Sequence, residues 1–412
     1  MHATAILTRV LGSCLALHAK RKQSLMRATA ALLFGGVASL SAIALSLSGS
    51  TKFKHRLKSV DRLLGNSAMH QVRHEIYQRV AQSWLAGLSR TLLVVDWSEV
   101  TQDQQWHLLR ASVVVDGRSI TLYEEVHPQS RLAHPEVHRR FLRQLKTMLP
   151  LGCQPIVMTD AGFHAPWFKM VEAQGWYFIG RLRGRNRVQV KSNGPWIPAR
   201  DWYGRATTEA RDLGIGAYAR SNPVPVRVVL ARRPAKERHQ HNMYGDKRKS
   251  RRSKLNARRA REPWLLGSSK ALQYLTADAI VSLYAQRMTI EQSFRDTKNA
   301  HLGLGLENAR SRSGTRFEML LLVAHLASLV QRLIGEQARD HQLELQFMAT
   351  RRADRHEISV LTLGRRIINA APEEISKLMP WNAIPPLRQQ AKTACGAFSL
   401  MRGNLRVCPR IF

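Results

Sequence analysis

Acidic residues are scarce in this chain: 29 Asp and Glu stand against 64 Lys and Arg among 412 residues, a net charge of +35. Such a deficit points to a polyanionic partner, nucleic acid first, with an anionic membrane surface or an acidic protein as the alternatives. Cysteine is also sparse. Cys14, Cys153, Cys395 and Cys408 are far apart and form no CxxC pair, which excludes a disulfide scaffold and a zinc ribbon and fits a reducing compartment. Histidines at helical spacing, His70 with His74 and His134 with His138, bring no third ligand and so make poor metal sites. What is abundant is apolar: 44% hydrophobic against 23% charged residues excludes a disordered basic tail and places the charge on a folded body. The length allows roughly two to three domains.

Uninterrupted apolar runs are few. The run from Ala28 to Leu47 follows Lys20, Arg21 and Lys22 as a signal peptide or membrane span would, but Gly35-Gly36 and the serines Ser39, Ser41 and Ser46, with Ser48 just after it, break it. Two short helices joined at the glycines fit better. Next, Thr51 to Leu64 sets Lys52, Lys54, Arg56, Lys58 and Arg62 around Leu57, Val60, Leu63 and Leu64, a basic amphipathic helix. Residues 1–75 are read as a helical DNA-binding domain of helix-turn-helix type, with those five cations on DNA. A second apolar stretch, Arg316 to Gln337, carries Glu318, His325, Gln331 and Arg332 and is expected in the core or at a subunit interface rather than in a membrane.

From about residue 91 the pattern turns to strands. Leu92 to Val95 predicts a buried strand with Asp96 at its tip, and Trp106 to Val126 predicts a hairpin turning at Asp116-Gly117. A helix over His134–Leu149, a strand over Pro155–Met158 leading to Asp160, a helix over Phe168–Gln174 and a strand over Trp176–Arg181 follow. Two carboxylates at the ends of central strands are what a divalent metal site needs.

Between Arg185 and Glu262 the helical period is lost. Lys247-Arg248-Lys249, Arg251-Arg252 and Arg258-Arg259 form a basic run, read either as a solvated surface or as a phosphate-binding arm. Neither glycine nor proline occurs from Ala277 to Ala300, which predicts one helix. On it Tyr284, Arg287, Glu291, Arg295 and Lys298 are spaced to share a face, either as a solvated stripe of ion pairs or as a third carboxylate for Asp96 and Asp160 with cations and a phenol to hold a phosphate backbone.

The spacing Tyr284-x2-Arg287-x3-Glu291-x6-Lys298 resembles the YREK signature of insertion-sequence transposases of the IS-four family. VVDWS around Asp96 and VMTDAGF around Asp160 are similar to two further blocks of that family, as are GSTKFKHRLKSVDRLLGN and EPWLL. The resemblance covers residues 45–365. It implies an RNase H-like α/β core, a twisted mixed sheet flanked by helices, interrupted by a β-rich insertion. The expected divisions are 1–75 helical DNA-binding, 76–187 core, 188–265 insertion with the basic arm, 266–335 core with the signature helix, and 336–412 a helical C-terminal region.

By the family pattern Asp96, Asp160 and Glu291 would form a DDE triad for two Mg²⁺ ions, with Mn²⁺ an alternative, suited to in-line displacement at phosphorus. The implied activity is cut-and-paste transposition: strand hydrolysis at the element's ends, a hairpin intermediate, and strand transfer into target DNA. Tyr284, Arg287 and Lys298 match the family's phosphate grip, with Arg295 beside them. Trp264 matches the residue on which a flipped base stacks, a buried core tryptophan being the alternative. The implied partners are double-stranded DNA, as terminal inverted repeats and target, and a second copy of the chain in a synaptic complex. The implied setting is the bacterial cytoplasm, at the nucleoid. A DNA-binding relic or regulator that cannot cut is the competing reading.

Overall fold

The computed structural model describes residues 2–12, 18–101, 103–115, 118–191, 193–233, 250–251, 262–301, 303–349 and 357–378. The Asp116-Gly117 turn, the basic run from 252 onward with Lys247-Arg248-Lys249, and three of the four cysteines lie outside the described residues.

The N-terminal helices are α1 (His2–Gly12), α2 (Ala19–Gly35), α3 (Leu40–Ser46) and α4 (Phe53–Leu64). Gly36 takes a left-handed φ of 73° and closes α2, and α3 leaves at 90° to it, so the apolar run is two helices joined at the glycines. Ser39 caps α3 by accepting from the amide of Ala42. α5 (Ser67–Leu85), capped by Asn66, runs on from this group and lays Met69, Ile76, Tyr77 and Val80 into the core.

The centre is a ten-stranded sheet in the order β3-β2-β1-β4-β5-β10-β9-β8-β6-β7. β1 (Leu92–Glu99), β4 (Ile156–Thr159) and β5 (Tyr177–Leu182) are parallel neighbours, and β2 (Trp106–Val115) and β3 (Arg118–Pro128) extend them antiparallel. Their near-continuous apolar runs reflect burial on both faces. α6 (Pro135–Met148) and α7 (Ala165–Glu172) connect β3 to β4 and β4 to β5. This half is consistent with the RNase H-like arrangement that the resemblance implies. The strands β6 (Arg187–Val190), β7 (Trp196–Pro198), β8 (Arg211–Tyr218) and β9 (Val224–Ala231) continue the same sheet through β10 (Trp264–Ser268), which pairs antiparallel with both β9 and β5.

Two expectations need correction. β1 does not stop at Asp96: its ladder with β2 continues through Trp97, Ser98 and Glu99, after the ladder with β4 has ended. The stretch from Ala277 is not one helix either. α8 (Ala277–Ala285) passes through a tight 3₁₀ turn at Gln286–Met288 into α9 (Thr289–Lys298), because amides there bond three residues back.

α10 (Gly314–Asp340) is the one helix among the described residues long and apolar enough by composition to cross a membrane; 89% of its apolar window is buried inside the fold. Phe317, Leu320, Leu321, Val323 and Leu326 pack against the N-terminal helices, β3 and α11 (Val360–Ala370). Gly335 and Gly364 let α10 and α11 touch backbone to backbone, since a Cβ on Gly364 would stand 1.8 Å from the Gln331 carbonyl oxygen.

Candidate active site

Strand register assembles the carboxylates. Leu92, Leu93 and Val94 lie opposite Ile156, Val157 and Met158, and the same offset carried two residues further sets Asp96 beside Asp160. Asp96 Oδ1 accepts from the amide of Trp97 at 2.9 Å, and Oδ2 from Arg287 Nη1 at 3.0 Å. Asp160 follows β4 directly and its Oδ1 accepts from the Gly162 amide at 2.8 Å, closing a turn that holds the side chain at the strand end. A Cβ on Gly162 would come within 3.0 Å of that oxygen, so the position favours glycine.

Arg287, in the 3₁₀ turn, reaches down to Asp96 while its Nη2 lies 3.3 Å from Glu291 Oε1. The Asp96 side chain is only 14% exposed and Glu291 is 47% exposed, so the site opens on the Glu291 side. Burial and the neighbouring Asp160 carboxylate push the Asp96 pKa up to about 7, against the pull of Arg287. Burial opposes the charge on Arg287, yet Tyr284, Asp96, Asp160 and Glu291 together outweigh it and raise its pKa. Among the described residues no three His, Cys, Asp or Glu side chains are gathered closely enough to hold an ion together. In this geometry Arg287 occupies the space between Asp96 and Glu291.

The remaining signature residues divide. Tyr284 is 3% exposed, and burial pushes its pKa up to about 12. Lys298 Nζ donates to Ser98 Oγ at 2.8 Å and to the Glu99 carbonyl at 3.1 Å, while burial lowers its pKa. Arg295 points to solvent. The shared face expected of all five is therefore only partly realised, because the 3₁₀ turn shifts the phase between Tyr284 and Glu291. Trp264, the first residue of β10, is half-buried with its ring edge-on to Tyr284 at 5.0 Å and the Arg233 guanidinium 5.0 Å above it. On α4, Lys52, Lys54, Lys58 and Arg62 are exposed. Arg56 departs from the expectation: its Nη1 donates to the carbonyls of Leu45 and Leu47 at 3.3 and 2.8 Å, which caps the end of α3 and takes it out of the exposed stripe.

The histidine pairs are engaged in hydrogen bonds: His70 with the Leu64 carbonyl, His74 with Thr147, His134 with the Glu136 amide and His138 with Trp97. Sequence reasoning missed Arg181 and Glu262 beside the site. The β4–β5 offset carried one residue further puts Arg181 next to Asp160, and Glu262 binds both Arg181, at 3.6 Å, and Arg183, at 2.7 Å. It also missed Arg110 and Glu124. A lone arginine inside the apolar strand segment LLRASVVV was the available signal, since an unpaired charge is not buried there.

A comparison with curated proteins finds no match. A family model described as a transposase DDE domain matches residues 87–329, more than half of the chain, and its span contains Asp96, Asp160, Glu291 and the whole of the sheet. The chain belongs to the transposases with a DDE domain.

Proposed function

We propose that this chain is an active DNA transposase that cuts its element out and joins it to new DNA, with Asp96, Asp160 and Glu291 as the catalytic carboxylates. The observation that carries the reading is that Asp96 on β1 and Asp160 just past the end of the parallel neighbour β4 are close enough for one carboxylate to raise the pKa of the other, under a helix turn whose Arg287 touches both Asp96 and Glu291. Two carboxylates held together at the cost of a raised Asp96 pKa are a donor set that a hard divalent cation relieves. Glu291 joins them by releasing Arg287, an ion pair at 3.3 Å whose acidic partner is half in solvent and so weakly held. Mg²⁺ bound there would supply activation of a water or a 3′ hydroxyl and stabilisation of the leaving oxygen.

The chain's own residues supply the rest. Asp96 and Asp160 would hold the cation that the reacting phosphate meets, and Arg287, once freed from Glu291, has a donor fork for a non-bridging oxygen. Tyr284, which interacts with Asp96 and Asp160, and Lys298, held at Ser98 on the strand of Asp96, are the further phosphate contacts of this reading. Trp264 is the aromatic ring on which a displaced base would stack in the hairpin step, taking the place of the Arg233 guanidinium over its face. Lys52, Lys54, Lys58 and Arg62 on α4 face solvent as a basic stripe for the duplex outside the site. A second copy of the chain on the other end of the element, and residence at the bacterial nucleoid, belong to the same reading.

The test is a gel assay of purified protein on DNA carrying the sequence that flanks its gene, with Mg²⁺ or with chelator, wild type beside Glu291→Gln. A Mg²⁺-dependent nick and a hairpin, both absent from the variant, are expected. Wild-type binding without any cut would replace this reading by that of a regulator or relic.

A further inference from the structure

The row that carries Asp96 and Asp160 continues across the sheet. Asp96 lies opposite Arg110 on β2, and Arg110 opposite Glu124 on β3. Laterally paired residues project to the same face, so Glu124, Arg110, Asp96 and Asp160 form one line under the signature helix. Arg110 is 1% exposed and its donors are spent in two directions. Within the sheet, Nε and Nη2 each reach Glu124 Oε2 at 2.7 Å. Upward, Nη1 donates to Ser293 Oγ at 2.9 Å and Nη2 to Thr297 Oγ1 at 3.0 Å, both on α9. Glu124 is itself held by the Tyr77 hydroxyl at 2.8 Å, and Asp296 adds an ion pair to Arg118 at 3.1 Å.

Ser293, Asp296 and Thr297 make one stripe of α9. At about 100° per residue Glu291 and Lys298 sit roughly 150° round the helix from it. Side-chain packing does not fill the space behind that stripe: a cavity of about 50 Å³ is bounded there by Arg110, Glu124, Ser293, Thr297 and His325. Directional bonds, rather than contact alone, therefore define how far the helix is turned.

We propose that Arg110, braced by Glu124, is a positioning residue for the DDE site: through Ser293 and Thr297 it sets the rotation of α9 that keeps Glu291 at Arg287, across from Asp96, and Lys298 at Ser98. The pair thus ties the carboxylate row of the sheet and the helix carrying the third carboxylate to one rigid reference. This rests on the transposase reading of the site.

Substituting Arg110 itself risks unfolding, so the test removes its acceptors. In the full chain, Ser293→Ala with Thr297→Val deletes both hydroxyls at nearly constant volume, and Ser293→Thr with Thr297→Ser keeps them. On the gene-flanking DNA, the hydroxyl-free variant is expected to cut about tenfold more slowly in single turnover, with half-saturating Mg²⁺ raised severalfold and DNA Kd within twofold of wild type. The hydroxyl-keeping variant is expected to behave as wild type. Equal cutting by the hydroxyl-free variant, or equal impairment of both variants with unchanged Mg²⁺ dependence, overturns the proposal. Amide exchange over Thr289–Lys298 reads positioning without catalysis: at least tenfold faster exchange in the hydroxyl-free variant alone is expected, and unchanged exchange overturns the proposal even where the wild type does not cut.

Discussion

Two arginines bridge the sheet and the segment from the 3₁₀ turn through α9, and they do so in opposite electrostatic states. Arg110 reaches up from β2, is matched by one carboxylate, Glu124, and finds two neutral hydroxyls on the helix. Arg287 reaches down from the 3₁₀ turn into a group of three carboxylates, Asp96, Asp160 and Glu291, that it cannot neutralise. The first cluster is electrically closed; the second keeps a surplus of negative charge. Closed clusters rigidify a fold, whereas surplus charge held in place costs stability and is kept where a ligand of opposite sign completes it. Within one lateral row of the sheet the molecule thus separates a matched charge pair from a group of carboxylates left in excess.

Removing a carboxylate from the open cluster should have the largest effect on activity and little on stability. Asp96→Asn is expected to lower Mg²⁺-dependent cleavage by about a thousandfold or more, a loss of roughly 4 kcal/mol of transition-state stabilisation. The metal-free protein should at the same time melt close to wild type, because the repulsion between Asp96 and Asp160 is gone, which offsets the one hydrogen bond that an asparagine, with a single oxygen for Trp97 and Arg287, does not keep. A variant that both loses activity and melts several degrees lower would erase the distinction between the clusters.

Arg110→Ala inverts that pattern. It strands Glu124 in a nearly sealed interior, 1% exposed, and leaves two hydroxyls without their donor. Breaking a buried pair from one side costs about 3–5 kcal/mol, read as a drop in the denaturation midpoint. The matched replacement Arg110→Met with Glu124→Leu should recover part of that stability without recovering cleavage, since no donor then turns the helix.

The closed cluster should also contribute to the acid limit of the fold, as buried His138 does elsewhere. His325 lines the same cavity, its ring 4.7 Å from that of Tyr77, with Glu124 and Arg110 the charged groups facing it. Burial pushes its pKa down to about 4. Between about 6.5, the unfolded value, and that limit the unfolded chain binds a proton that the fold refuses. Stability is therefore complete above pH 6.5 and falls as pH drops toward 4, by about 3 kcal/mol for this histidine. Urea melts at pH 7 and pH 4.5 should show His325→Leu losing about that much less than wild type.

How much of this was readable beforehand follows from what each pattern records. Apolar runs and turn residues gave β1, the hairpin, α6 and the order of elements, because burial and backbone geometry write locally. The spacing of Tyr284, Arg287, Glu291 and Lys298 pointed to the segment of the candidate site, and VVDWS and VMTDAGF to two carboxylates that the fold brings near it. The 3₁₀ turn was not readable: no glycine or proline marks it, and it shows only where Arg287 has Asp96 to reach. Nor was the pairing of Arg110 with Glu124 and the α9 hydroxyls, as lateral register and contacts more than 180 residues apart leave no periodic trace. Arg56 failed for a related reason, since its charge read as surface while its hydrogen bonds went to backbone.

Arg56 and its neighbours on α4 repeat the contrast of the two clusters in miniature, with the smallest expected effect. Lys58 is exposed in the stripe with Lys54 and Arg62, whereas Arg56 is spent on the carbonyls of Leu45 and Leu47. If the stripe lies along duplex DNA, Lys58→Ala removes one phosphate contact and should reduce the slope of log K against log salt by about 0.9, with the melting temperature unchanged. Arg56→Ala should leave that slope as it is and lower stability by about 1 kcal/mol, the worth of a helix-end hydrogen bond. Salt titrations of both variants on one duplex decide the matter: a slope that falls for Arg56→Ala and not for Lys58→Ala would mean that the basic helix meets DNA by a face other than the exposed one.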